Sequence, residues 1–178
     1  MTATRKTSFF AGLLYLLTFI SIPTLALYGP IHGPNYITGP GPDTKVIIGA
    51  ILEMIVGLAG IGTAVALYPV LKNQNEGIAL GLVGSRILEA AMIFAGVSFL
   101  LTVVSLRQSG AGPAALVTGQ TLVVMYDRIF LIGQSFMPAM NGLLLGSLLY
   151  QSRLVPRSKQ GHFNSQDQHY AQGQHHLQ

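Results

Sequence analysis

Three ionisable side chains lie inside long apolar stretches and are the most informative residues of the sequence. Glu53 lies in the apolar run of residues 46–71, and Arg86 and Glu89 lie three positions apart in the run of residues 77–106. An ionisable group at membrane depth costs about 3 kcal/mol or more unless it is paired or hydrated. These three residues therefore predict a polar interior in a membrane-embedded bundle, which serves either helix packing or the binding of a ligand or ion.

A second polar set follows in the last apolar run. Asp127, Gln134 and Asn141 are spaced by seven residues, so on a continuous α-helix they share one face. Pro138 lies on the same side and frees the carbonyl of Gln134, which predicts a kink beside the amide side chains. Both a water-lined cavity and a kinked packing helix fit this pattern.

The sequence lacks the residue combinations on which most enzymes depend. It contains no cysteine, and no phosphate-binding loop, HExxH or GxSxG motif. No histidine lies in a predicted span, so a nucleophile–histidine pair is not available within the bilayer. We expect no enzymatic activity, no cofactor and no metal site, since the tail histidines His169, His175 and His176 are irregularly spaced.

Composition and periodicity predict an all-α membrane protein. Only 9% of the residues are charged, against about 25% in soluble domains, and the mean hydropathy is +0.51. We predict a four-helix polytopic bundle with a short interfacial helix, residues 114–126, and a disordered C-terminal tail. The predicted spans are residues 8–28, 46–71, 77–106 and 129–150, and Asp127 offers an N-cap to the last one.

The organisation is one transmembrane domain, residues 1–157, followed by a polar tail, residues 158–178. The first span follows Arg5 and Lys6; a cleaved signal peptide is the alternative, but no clear cleavage site follows it. Residues 28–44 are rich in proline and glycine and form a loop, either a connector between spans or an external lid.

The distribution of Lys and Arg predicts the orientation. With the amino terminus inside, six basic residues are cytoplasmic and three are external, which places both termini inside. The six are Arg5, Lys6, Lys72, Arg153, Arg157 and Lys159, and the three are Lys45, Arg107 and Arg128. Because these residues lie at span ends and not in one patch, the positive net charge does not indicate a nucleic-acid partner.

Each intramembrane charge requires a partner. Arg86 either pairs with Glu89 one turn later or extends to the headgroups. Glu53 shares a stripe with Gly57, Gly60 and Ala64 and therefore faces another helix. We expect the buried charge of Glu53 to be neutralised either by pairing with Arg128 or by protonation of the carboxyl group.

Several short motifs, in order, resemble a family of bacterial membrane proteins known as domain of unknown function 4386. The motifs are IGAILE from Ile48, LYPVL from Leu67, IAL from Ile78, Arg86-x-x-Glu89, LLYQSRLVPR from Leu148 and the opening AGLLYLLTF from Ala11. The resemblance covers about 150 residues and implies a helical inner-membrane protein with no established activity.

One departure from that family concerns the carboxyl-terminal end. Its members continue past the SRLVPR segment with further apolar helices, whereas this chain turns into a Gln/His-rich tail. A truncated or frame-shifted copy is the simplest interpretation, and a natural short variant with a new tail is the alternative.

Two classes of function remain. The first is a non-enzymatic protein of the bacterial cytoplasmic membrane whose buried charges fix helix packing or bind a lipid, an ion or a partner, including a second copy of the chain. The second is a small proton- or ion-coupled transporter that uses Glu53, Glu89 and Asp127 with the broken fourth helix.

Overall fold

The computed structural model describes residues 3–151, and this part of the chain is helical and contains no strand. The six α-helices are α1 (Ala3–Thr18), α2 (Ser21–Leu27), α3 (Asp43–Leu71), α4 (Glu76–Gln108), α5 (Leu116–Phe130) and α6 (Met137–Gln151). Short 3₁₀ turns cover Gly29–His32 and Gly112–Ala115, and a π-helical turn, Leu131–Phe136, joins α5 to α6. The predicted polar tail and its histidines lie outside the described residues.

Four helical stretches are long and apolar enough to cross a membrane, as the sequence predicts. They are Phe9–Leu27, Asp43–Leu71, Glu76–Gln108 and Gly112–Gln151. The first joins α1 and α2, and the last joins α5, the π turn and α6 into one continuous helical rod. The chain is therefore an all-α bundle of four membrane-length segments.

The start of the fourth segment differs from the sequence prediction. Asp127 is not an N-cap, because α5 continues through it to Phe130 and then directly into the π turn. An N-cap residue must leave helical geometry, whereas nothing between Leu116 and Asp127 breaks the helix. The predicted interfacial helix is consequently the first half of a longer rod. The π turn lies just before Pro138, where it accommodates the proline ring.

Helices α3 and α4 form a central antiparallel hairpin around which the other helices pack. Asn75 begins α4 by accepting a hydrogen bond from the Ile78 amide at 3.0 Å. Helix α1 packs on α3, whereas α5 and α6 pack on α4. Helices α1 and α6 therefore flank the hairpin and leave a cleft between them. Large exposed apolar side chains, among them Leu16, Leu58 and Leu143, cover the outside of the bundle.

Residues 28–42 fold over one end of the bundle and are called the cap. Tyr28, Ile31, Tyr36 and Ile37 are buried in the main apolar cluster together with residues of α4 and α5. The segment is therefore a packed part of the core and not an open connector. The opposite end, at residues 72–75, is called the turn end.

Arg107, near the end of α4, holds the carboxyl-terminal part of the cap. Its guanidinium donates to the carbonyls of Gly39 at 3.1 Å and Gly41 at 2.6 Å, and it pairs with Asp43. Tyr36 donates to the same carboxylate at 2.7 Å. Burial, followed by this hydrogen bond, raises the pKa of Tyr36 to about 12, so the phenol stays protonated.

Candidate binding site in the bundle interior

The first buried carboxylate, Glu53, lies on the cap side of the hairpin and is fully enclosed. One oxygen accepts hydrogen bonds from the Tyr126 hydroxyl at 3.1 Å and the Gln134 amide at 2.9 Å. The other accepts from the Tyr28 hydroxyl at 3.1 Å. We call Glu53, Tyr28, Tyr126 and Gln134 the cap-side cluster. Its donors come from three separate segments, so the carboxylate links the cap, α5 and the π turn to α3.

Glycines make room for the two tyrosine rings. A Cβ at Gly49, one turn before Glu53, would lie 2.7 Å from the Tyr28 ring, and one at Gly96 would lie 3.2 Å from the Tyr126 ring. The rings contact each other edge to face, with centroids 5.4 Å apart. The hydroxyls therefore reach Glu53 because the helix backbones carry no side chain at these two positions.

The predicted pairing of Glu53 with Arg128 is wrong. Arg128 is exposed on α5, and the described partners of Glu53 are two hydroxyls and one amide. Neutral donors satisfy a buried carboxylate without burying a second charge, which is the physical reason that no arginine is required. A protonated Glu53 stays a prediction, because a hydroxyl or an amide can donate to either form of the carboxyl group.

The second buried carboxylate, Glu89, lies nearer the turn end. The predicted pair with Arg86 is present, with Nη1 of Arg86 donating to Oε2 of Glu89 at 2.9 Å. Asn141 Nδ2 donates to the same oxygen at 2.6 Å. The Arg86 side chain is only 14% exposed and bends towards Glu89 instead of extending along the surface. We call Arg86, Glu89 and Asn141 the turn-side cluster.

The small residues of α3 bring α4 close enough to form these clusters. A Cβ at Gly57 would lie 3.0 Å from the Phe94 ring, and one at Gly60 would lie 3.8 Å from Nη1 of Arg86. The stripe that carries Glu53 therefore faces α4, as its small residues predict.

Hydrogen bonding in the turn-side cluster is incomplete. Asn141 is 2% exposed, and its Oδ1 has no hydrogen-bond partner among the residues that the structure describes. The amide must present its nitrogen to Glu89, because a carbonyl oxygen there would face a carboxylate. Arg86 has five N–H donors and makes one hydrogen bond within residues 3–151. The cluster consequently offers the donors of Arg86 to a further molecule, whereas Asn141 Oδ1 is enclosed by protein.

Two cavities adjoin Arg86. A junction cavity of about 140 Å³ lies between the clusters and is lined by Gly60, Arg86, Glu89 and Gln134, among others. A cleft cavity of about 370 Å³ lies between α1 and α6 and is lined mainly by apolar and small residues, with Arg86 and Asn141 in its wall. Tyr15, Arg86 and Pro138 line both cavities.

Asp127 does not join this interior site, contrary to the prediction that it shares a stripe with Gln134 and Asn141. It is about half exposed and contacts His32 of the cap at 3.1 Å. The π turn explains the difference, since its wider spacing of hydrogen bonds rotates the residues before it relative to those after it. The two amide side chains also bind different carboxylates, because Gln134 donates to Glu53 whereas Asn141 donates to Glu89.

His32 connects the cap to α5. Its Nδ1 lies 2.9 Å from the Tyr28 carbonyl and its Nε2 lies 3.1 Å from Asp127. Partial burial lowers the pKa of His32, but its hydrogen bonds to Asp127 and to the carbonyl outweigh that effect, and the net pKa is raised. Both ring nitrogens face acceptors, which favours the doubly protonated ring.

Sequence reasoning missed the tyrosines of the site. Tyr28 and Tyr126 fit membrane-interface positions in the sequence, whereas both are buried and bind Glu53. A signal was available, because both tyrosines flank spans at the end of the bundle at which Glu53 lies. Tyr15 was missed because it lies in an apolar helix and no ionisable side chain lies within eight residues of it in the sequence.

Comparison with known proteins identifies the family. The family model described as Domain of unknown function (DUF4386) matches residues 10–158. No curated protein and no solved structure matches the chain. Since the matched region covers most of the 178 residues, the chain belongs to this family.

Proposed function

We propose that this member of the family is a non-enzymatic multi-pass membrane protein that binds a polar-headed ligand inside the bundle, at the turn-side cluster. The observation that supports the proposal is the state of Arg86. Its side chain is 14% exposed, lines both cavities and makes one hydrogen bond within residues 3–151, although the guanidinium has five donors. Unused donors of a largely buried side chain that open onto a cavity indicate a place for a ligand.

The two clusters have different roles in this proposal. The cap-side cluster fixes helix packing, because Glu53 has donors on both oxygens and links four segments. The turn-side cluster supplies the binding groups. The residues that line the two cavities include hydroxyls and one carboxylate but no histidine or cysteine, which favours binding over catalysis.

Native mass spectrometry of the protein purified in mild detergent tests the proposal. We expect a co-purified small molecule on the wild type, and a reduced bound fraction for Arg86→Lys. Lysine keeps the charge that faces Glu89 but loses the planar set of donors. Arg128→Lys is the matched control, because it makes the same change at an exposed position of α5. Equal occupancy in the wild type and both variants would contradict the proposal.

A proton- or ion-coupled transporter is the second candidate. It is favoured by the junction cavity, because Gln134 of the cap-side cluster lines this cavity together with Arg86 and Glu89. Gln134 lies in the π turn that interrupts the rod formed by α5 and α6. In proteoliposomes, ion-gradient-driven uptake that is lost in Glu89→Gln but kept in Glu76→Gln, at an exposed position near the turn, would support transport. No uptake above empty vesicles would argue against it.

We infer that the protein resides in a bacterial cytoplasmic membrane with both termini inside. The inference rests on the excess of Lys and Arg in the two terminal segments and the turn at residues 72–75, counted from the sequence. The cap is then external. Cysteine introduced at Asn73 or Pro34 of this cysteine-free chain tests the orientation by labelling with an impermeant thiol reagent in intact cells. Labelling of the Pro34 position alone is the expected result.

The bilayer is the expected environment of the protein. The protein partners that we expect are another membrane protein or a second copy of the chain. Gly142 and Gly146 of α6 have nothing within 4 Å of an added Cβ, so this face is open to a neighbouring helix or to lipid. Nucleic acid is not an expected partner.

A further inference from the structure

The cleft cavity has an apolar wall and a polar end, and this arrangement indicates a ligand with an apolar part and a polar part. Its apolar wall is formed by α1, α3, α4 and α6 through Ala11, Ala64, Leu67, Leu82 and Leu145. Arg86 and Asn141 are at its polar end. The volume of about 370 Å³ falls in the range of small-molecule sites.

Two glycines at the edge of the cleft keep it accessible from the outside of the bundle. Gly12 of α1 and Gly142 of α6 line the cavity, are exposed, and have nothing within 4 Å of an added Cβ. The neighbouring residues Leu13, Leu16 and Leu143 are exposed on the apolar surface. A ligand can therefore enter sideways from lipid and leave its chain among these residues.

The polar end calls for a head group with an acceptor oxygen. The unused N–H groups of Arg86 open onto the cavity and can donate to such an oxygen, whereas Asn141 Oδ1 is enclosed by protein. An ester or carbonyl oxygen supplies this acceptor, and a purely apolar molecule does not.

The charges of the cluster favour an uncharged head. Arg86 and Glu89 form a pair whose formal charges cancel, and Asn141 is neutral. An anion placed on Arg86 would be buried close to the Glu89 carboxylate, with an uncompensated negative charge. A neutral head with an ester carbonyl oxygen accepts from Arg86 without that cost.

We propose that the cleft binds an acylglycerol-type lipid, with its ester carbonyl at Arg86 and its acyl chain along the cleft between α1 and α6. This inference rests on the proposed function and adds the chemical class of the ligand. An anionic lipid as the occupant is an outcome of the test below.

The test uses the full chain in phosphatidylcholine nanodiscs with a monoacylglycerol that carries a photoactivatable diazirine in its acyl chain. Labelling is measured by intact-protein mass spectrometry, and labelled peptides are mapped. We expect labels on α1 and α6 next to the cleft. Excess 1-monooleoylglycerol should reduce labelling about tenfold more effectively than oleate, since the oleate carboxylate would be buried beside Glu89 with an uncompensated negative charge.

A matched pair of glycine variants locates the site. Gly142→Leu should fill the edge of the cleft and reduce labelling about tenfold, a factor comparable to the loss of one buried apolar contact of the chain. Gly146→Leu makes the same change one turn later, at a position that does not line the cavity, and should label like the wild type. At both positions an added Cβ meets nothing within 4 Å, and leucine favours helix over glycine, so both variants should fold.

The outcomes separate the two proposals. Labelling that Gly142→Leu abolishes but that oleate or phosphatidylglycerol displaces best would overturn the acylglycerol inference and leave a ligand site at Arg86. Labelling unchanged in Gly142→Leu would overturn the inference whatever the competitor. If a co-purified molecule were nevertheless lost in Arg86→Lys, the ligand would occupy the junction cavity, and the proposed function would stand.

Discussion

The two buried carboxylates, Glu53 and Glu89, are held in different ways. Glu53 receives neutral donors on both oxygens, whereas Glu89 receives a guanidinium and an amide on a single oxygen. A fully satisfied network stabilises one arrangement of the chain, and a partly satisfied one retains hydrogen-bonding capacity. The comparison teaches that two charges buried in the same bundle can differ in how completely their neighbours are satisfied, and the proposed ligand site rests on that difference.

The largest expected effect comes from removing Glu53. Glu53→Leu leaves two hydroxyls and an amide buried without an acceptor, so we expect a loss of about 3–5 kcal/mol in the free energy of unfolding. Glu89→Leu should cost less, because the long Arg86 side chain can turn into the adjoining cavities. Thermal unfolding in mild detergent measures both. A larger loss for Glu89→Leu would break the distinction between a satisfied and an open cluster.

The second largest expected effect on stability concerns the glycines that leave room for the side chains of each cluster. Gly49→Ala places a methyl group 2.7 Å from the enclosed Tyr28 ring, so we expect a loss of about 1–3 kcal/mol from overpacking. Gly60→Ala meets Arg86 at an ordinary 3.8 Å and should be neutral or slightly stabilising. The same unfolding assay checks both, and equal losses would show that Tyr28 is not tightly held.

A smaller effect distinguishes the two amides. Gln134→Leu and Asn141→Leu each remove one hydrogen bond to a carboxylate, but the asparagine change also removes an unpaired buried oxygen. We expect Asn141→Leu to cost about 1 kcal/mol less than Gln134→Leu when no ligand is present. Unfolding of delipidated samples provides the measurement. Equal losses for the two variants would show that the Oδ1 of Asn141 is not left unpaired.

The smallest effect is a dependence of cap stability on pH. The pKa of His32 is raised in the folded chain, so its contribution is present below the ordinary value near 6.5 and is lost as pH rises through the raised pKa. The pair is about half exposed, so we expect about 0.5 kcal/mol or less. Hydrogen exchange of cap amides at pH 5.5 and 8.5 measures it. His32→Gln should abolish the difference, and a cap equally protected at both pH values in the wild type would refute the assignment.

The hydrophobic pattern was enough to predict the four membrane-length helices and the local Arg86–Glu89 pair. Both depend on spacing along the chain, since a run of apolar residues requires a helix in lipid and residues three apart lie on neighbouring positions of its surface. The partners of Glu53 could not be predicted in this way. Tyr28, Tyr126 and Gln134 come from 25 to 81 residues away, and their convergence depends on helix packing.

The sequence by itself determined which residues are buried charges and that they face other helices, because lipid does not tolerate them and glycine stripes mark close packing. The tertiary structure decided which charge is satisfied. A π turn rotates Asp127 away from Gln134 and Asn141, a folded cap brings Tyr28 to Glu53, and the separation of α1 from α6 leaves a cavity at Arg86. Hydrogen-bond satisfaction depends on the position of every donor in three dimensions, and that position is set by packing between distant segments.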